Sequence, residues 1–384
     1  MKLTMAVDYY DLIWKCDGLF DEEHINRFLG ECAAHGVDSV QWRLSVCGKL
    51  LYRTRTGDML GDTPREDWQG ARTQHAINEK AKAILAKFDP LEAAVRLAHK
   101  HGLKILPWLT LYDDGGYFKF SRSSLVDAHP ELCWRSRDGK RHYRGVTSYV
   151  HPEVVEFRMR QIKEALNYGG DGLHLCLRTH SRPPEYFDAL DTFLRDNPGS
   201  DHDDWLRTLG DKVSAMIRAA AGAYGFDPPA TAAYERLTGK APESGDLEWW
   251  RFRGQYFLDF MWKARRATPG ALTFGVRYAS GAPYPYGDHF FDWRALLDGI
   301  VDELHYELGE QGEACPELGA PSPAAKLGWC WLGHHGLDQT MRLKAEPIKR
   351  RLDDGSLDGV VLFEAYHFLE KPDYWSLPGY FARG

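Results

Sequence analysis

Eight short apolar runs recur along the chain, at 5–10, 39–46, 104–112, 172–180, 272–279, 300–307, 326–332 and 359–366. Most are followed by a loop and then a stretch of helical periodicity. Several are preceded by the same punctuation, a helix end closing on glycine: His35-Gly36, His101-Gly102, Gly170-Asp171-Gly172 and Asp358-Gly359. Strands alternating with helices predict βαβ units and a parallel sheet. Eight of them predict closure into an α/β (β/α)8 TIM barrel, with residues 1–384 read as one catalytic domain. Three segments are too long for simple connections, near 47–88, 113–152 and 181–270, and are expected as long βα-loop insertions on the catalytic face. Within the last, 203–224 and 247–267 read as helices, the second carrying Trp249, Trp250, Phe252, Tyr256, Phe257 and Met261 as a core-facing stripe.

A strand alternates its side chains between two faces, so each run divides by parity. In the fourth, Leu173, Leu175 and Leu177 share one face, while His174, Cys176, Arg178 and His180 share the other. A buried parallel strand is ordinarily apolar throughout, so this polar face is assigned to the barrel axis. The same division puts Glu303, His305 and Glu307 inward in the sixth run, and Glu364 and Tyr366, opposite Val361 and Phe363, in the eighth. The remaining runs offer Asp8 and Tyr10; Gln41, Arg43 and Ser45; Trp108, Thr110 and Tyr112; Arg277; and Trp331. Ionisable groups are costly to bury unless paired or used, and so many of them on separate strands point to a site.

Composition narrows the chemistry. The net charge is −7 with no dense Lys/Arg run, which argues against nucleic acid as a partner. No apolar run is long enough for a membrane span, and none reads as a signal segment. The chain therefore reads as cytoplasmic, or as secreted or periplasmic if a signal has been removed. Seven scattered cysteines without a CxxC pair indicate neither a disulfide framework nor a zinc ribbon. Aromatics make up 13% of the chain, including 13 Trp, which favours a carbohydrate partner that stacks on rings.

Glycosidic bonds are cleaved between two carboxyl groups, one protonating the leaving oxygen and one serving as nucleophile or base. Glu307 and Glu364, at the ends of runs six and eight, are the expected catalytic pair, with Glu364 as nucleophile or base and Glu307 as acid. Asp8, Arg43, Trp108, Tyr112, His174, Cys176, Arg178, His180, Arg277, His305 and Trp331 are expected to bind substrate. Three inward arginines suit an anionic glycan, or else hold the catalytic carboxylates ionised. No cofactor or metal is expected, because no compact metal signature occurs. Two other readings stay open: a metal-dependent barrel hydrolase or isomerase built on His174, Cys176, His180 and His305, and a carbohydrate-binding barrel without catalysis.

Five segments, in order, resemble a bacterial glycosyl-hydrolase-like barrel family. They are His129-Pro130-Glu131-Leu132 with Asp138-Gly139-Lys140, His151-Pro152-Glu153-Val154, Asp171-Gly172-Leu173-His174-Leu175, Tyr234 to Gly239, and Trp249-Trp250-Arg251-Phe252-Arg253. The resemblance implies a barrel acting on carbohydrate. It also implies an Asp after the Asp171–Leu175 motif, where this chain has Cys176. No catalytic residue is therefore carried over at strand four.

Overall fold

A computed structural model describes residues 1–62, 72–116, 121–177, 180–209, 222–276, 293–308, 321–332 and 336–382, with isolated positions between 210 and 221. Eight parallel strands close into a barrel in chain order: β1 Lys2–Val7, β2 Ser39–Arg43, β3 Lys104–Leu111, β4 Gly172–Leu177, β5 Ala271–Val276, β6 Glu303–Tyr306, β7 Ala325–Trp331 and β8 Gly359–Phe363. Each expected run contains or overlaps one strand. The helices Glu22–Ala34 and Pro90–Lys100 show how the chain punctuates itself. Asp21 and Asp89 accept hydrogen bonds from the first-turn amides, and Gly36 and Gly102 leave each helix at φ of 76° and 73° before β2 and β3.

Parity separates two cores. Leu173, Leu175 and Leu177 join the large shell between strands and helices, whereas Ala6, Trp108, Cys176, Leu327, Trp329, Val361 and Phe363 form a separate cluster inside the barrel. The register stacks the interior side chains in layers drawn from alternate strands. Ala6 lies beside Gln41, Trp108 beside His174, Gly275 beside His305, and Trp329 beside Val361. Gln41, His174, His305 and Val361 thus make one layer, which the hydrogen bonds from Gln41 Nε2 to both imidazoles confirm (3.2 and 2.6 Å). Ala6, Trp108, Gly275 and Trp329 form the next. Above them come Arg43, Cys176 and Phe363, with Glu307 one residue past the end of β6.

The expected facing changes in three of the strands. In β8 the assignment reverses: Val361 and Phe363 point to the axis, and Val360 and Leu362 to the helices. In β3 the alternation stops at Tyr112, whose φ of 60° turns its ring outward against Trp134, Tyr149 and Phe257. Tyr10 has left β1 altogether. Asp8 caps the helix Tyr9–Lys15 and accepts from the Tyr10 amide, so the chain bends before the tenth residue.

The insertions carry their own structure. After β2 a hairpin pairs Ser45–Val46 with Lys49–Leu50, and Asp58–Met59 adds a third short strand. After β3 a second hairpin pairs Cys133–Arg135 with His142–Thr147. Beyond β4 lie the helices Pro184–Asp196, His202–Leu209, Pro228–Thr238 and Leu247–Ala267. The last buries Trp249, Trp250, Phe257 and Met261 of its sequence stripe, while Phe252 and Tyr256 are only half-buried against the same core. Among the described residues, no helix is long and apolar enough to cross a membrane.

Candidate active site

A chain of buried charges crosses the mouth above β1 to β4. Arg43 forms an ion pair with Asp8, reaches Asp113 Oδ2 at 3.2 Å and donates from Nε to Thr110 Oγ1 at 3.2 Å. Asp113 in turn meets His180 twice, through the backbone amide at 2.7 Å and ring Nδ1 at 3.0 Å, and accepts the Cys47 amide at 3.1 Å. All four charged or ionisable members are at least nine-tenths buried. Burial opposes the charge on Arg43, but Asp8 and then Asp113 outweigh it and hold the guanidinium protonated beyond its ordinary range. Burial likewise pushes the Asp113 carboxyl up, yet His180 and Arg43 bring it below the usual carboxylate value. Arg43 is fully engaged with protein carboxylates, so it acts as the clamp on ionised groups rather than as a receptor for an anionic sugar.

Asp113 was not reached by parity, because Tyr112 breaks the alternation and brings the next side chain to the mouth. A polar Asp113-Asp114 pair directly after an apolar run was the available signal. Asp114 is also buried, paired with Arg158 and accepting from Thr147 Oγ1 at 2.8 Å. It braces the loop from outside the mouth.

The two glutamates follow β6 and β8, the latter adjacent to β1 in the closed barrel. Glu307 is 7% exposed, and Lys344 Nζ donates to its Oε1 at 3.1 Å. Glu364 follows β8 after a cis Phe363–Glu364 peptide, with His367 Nε2 3.8 Å from its Oε2. Phe363 shares the Glu307 layer, and Glu364 is the next residue along the chain, with its carboxylate beside Tyr366 and His367. Trp331, half-buried, packs on Phe363 with ring centroids 5.9 Å apart. Trp108 lies lower, 1% exposed, with Arg43 5.3 Å from its ring and Phe363 5.9 Å away.

His174 and His305 sit deeper still. Their rings stack at 5.2 Å. Thr273 Oγ1 lies 2.7 Å from His174 Nδ1, and Glu303 Oε2 lies 3.0 Å from His305 Nε2. Burial, then the neighbouring His305, drives the His174 pKa well below its ordinary value. Burial raises Glu303, but His305 and Lys2 overcome it and bring this carboxyl down to about 2. These histidines form a polar floor beneath the aromatic layer. Cys176 is wholly buried among the interior aromatics. Arg178 and Arg277 lie outside the described residues.

For a metal, His174, Cys176, His180 and His305 do not converge. Among the described residues, the group with suitable spacing is Cys47, Asp113 and His180, one ligating atom of each lying within 4.8 Å of the others.

No family model matches the chain, nor does any curated protein sequence. Solved structures do. The catalytic domain of β-amylase from Paenibacillus polymyxa is 12% identical, with 96% of this chain and 93% of that one covered at a TM-score of 0.51. The PgaB (BpsB) glycoside hydrolase domain from Bordetella bronchiseptica is 12% identical, with 98% of each chain covered and a TM-score of 0.53. The likeness is one of fold. It agrees in fold with the glycosyl-hydrolase-like resemblance read from the sequence. Alpha-L-fucosidase isoenzyme 2 from Paenibacillus thiaminolyticus gives a TM-score of 0.55 at 12% identity, and this chain spans 49% of its length.

Proposed function

We propose that the chain is a glycoside hydrolase that cleaves an oligosaccharide or polysaccharide between Glu307 and Glu364. The supporting observation is that both residues directly follow the C-terminal ends of barrel strands, β6 and β8, which lie two apart and hence about 10 Å between strand axes. A barrel fold shared with solved glycoside hydrolases supports the same reading. The Lys344 ammonium beside Glu307 favours the opposite division of labour from that expected by sequence. Glu307, paired with a cation, serves as nucleophile or base, and Glu364 protonates the leaving-group oxygen. The aromatic layer beneath provides the dry floor against which the sugar ring sits.

The test is hydrolysis of a glycan panel, read as new reducing ends, by the unmodified protein and by Glu307→Gln and Glu364→Gln. Both substitutions should lower turnover on the natural substrate by about 10²–10⁴-fold. Glu364→Gln alone should keep most of its activity on aryl glycosides whose leaving group needs no proton. Equal losses on both substrate types would overturn the roles. Cleavage undiminished in both variants would overturn the pair. Cys176, where the resembled family carries Asp, favours one competing reading, a barrel that binds sugar without cleaving it; binding by all three proteins with no cleavage by any would establish it.

A further inference from the structure

We infer that Cys47, Asp113 and His180 form a site for a divalent cation of the zinc class at the barrel mouth. The three residues come from the loops after β2, β3 and β4, three neighbours in the barrel, and each presents one ligating atom within 4.8 Å of the other two. Thiolate, imidazole and a single carboxylate make a borderline-soft set that suits zinc and disfavours magnesium or calcium, which require oxygen.

The carboxylate is already oriented as a ligand's would be. His180 N, Arg43 and the Cys47 amide donate to Asp113 at 2.7, 3.2 and 3.1 Å, fixing its plane from three directions. Such surrounding donors are what hold a metal-binding carboxylate in place. The remaining contact is the His180 ring, with Nδ1 3.0 and 3.1 Å from the two carboxylate oxygens. A cation would take the place of the proton shared there. Around tetrahedral zinc, nitrogen and oxygen ligands at about 2.0 Å stand roughly 3.3 Å apart, and a sulfur ligand at about 2.3 Å stands roughly 3.5 Å from either. Imidazole and carboxylate are thus close to that spacing. Burial and then Asp113 push the Cys47 thiol up, and it is hydrogen-bonded to Ser121, so its sulfur, within 4.8 Å of both, must turn toward the pair and give up its proton as the ion binds.

Charge agrees. With the thiolate formed, Asp8, Asp113 and Cys47 set three negative charges against Arg43 and Arg182, leaving a net negative charge for the ion to meet. Asp8 also offsets the guanidinium that would otherwise repel the ion. Three protein ligands leave a fourth position for water or substrate, the arrangement of catalytic rather than structural zinc. The inference is independent of the glycosidase reading, and its test needs no activity.

The full chain is freed of metal with a chelator and titrated with Co²⁺. One Co²⁺ per chain should bind, with a sulfur-to-cobalt charge-transfer band in the near ultraviolet and visible bands of tetrahedral intensity. Zinc should displace it. Cys47→Ser should abolish the charge-transfer band, and both it and His180→Gln should weaken zinc at least tenfold. Folding of each variant is checked by its melting curve in chelator, and the second substitution keeps the test open if the first unfolds. Absence of stoichiometric binding would overturn the inference. So would a charge-transfer band that survives Cys47→Ser, which would place the ion on another cysteine.

Discussion

Arg43 holds two carboxylates on one guanidinium inside the protein, and Asp8 and Asp113 have little water to turn to. Breaking a buried pair by removing one partner strands the other, a cost of about 3–5 kcal/mol. Arg43→Met should therefore lower the urea midpoint by that equivalent, and Arg43→Lys should recover little, because one ammonium cannot span both acids. A midpoint within error of the unmodified protein would show that water relaxes into the cluster. Parity found Asp8 and Arg43 because both continue straight strands. It lost Asp113 because alternation holds only in extended backbone, and Tyr112 at φ 60° is not extended. The sequence carried no contrast there: an aromatic residue satisfies an inward or an outward position equally well.

Strands tell a similar story about where polarity informs. In β4 and β6, histidines alternate with leucine or tyrosine, and the axis-facing side was legible. In β8 the residues are Gly, Val, Val, Leu and Phe, so nothing distinguishes the faces, and the inward assignment leaned on Glu364 beyond the strand's end. Packing settles what polarity could not. Trp108 and Trp329 fill a layer because Ala6 and Gly275 leave room across it. A methyl group on Gly275 would stand 2.9 Å from His174 Nε2 and 3.0 Å from Trp329 Cζ2, both on buried rings. Gly275→Ala should destabilise by about 1–3 kcal/mol, seen as a lower melting temperature. An unchanged melt would mean that the aromatic layer is slack.

The barrel as a whole was the most legible feature, since eight punctuated apolar runs leave few other topologies. The content of the long segments after β2, β3 and β4 was not legible. Short hairpins such as Ser45–Leu50 depend on pairing with distant loops rather than on their own patterning. Acid behaviour is also a property of the whole. His174 is buried with its folded pKa depressed, so the unfolded chain takes up a proton that the native state refuses. That contribution to stability is present above the unfolded value of about 6.5 and falls as pH drops below it. Glu303, brought to about 2, contributes above the unfolded carboxylate value of about 4.3, and this part is lost as pH falls from there through about 2. Denaturation midpoints measured against pH should show both declines, and Glu303→Gln should flatten the lower one. A single decline confined below pH 4 would contradict the neutral, buried imidazole.

The interior climbs the barrel like a spiral stair, each tread shared by alternate strands. Partners across a tread lie far apart along the chain: positions 43, 176, 307 and 363 belong together, although neighbours in sequence sit on other steps or outside the wall. Anyone redesigning the pocket should randomise such quartets jointly. A library varied strand by strand would keep changing one corner of a square whose other three corners stayed fixed.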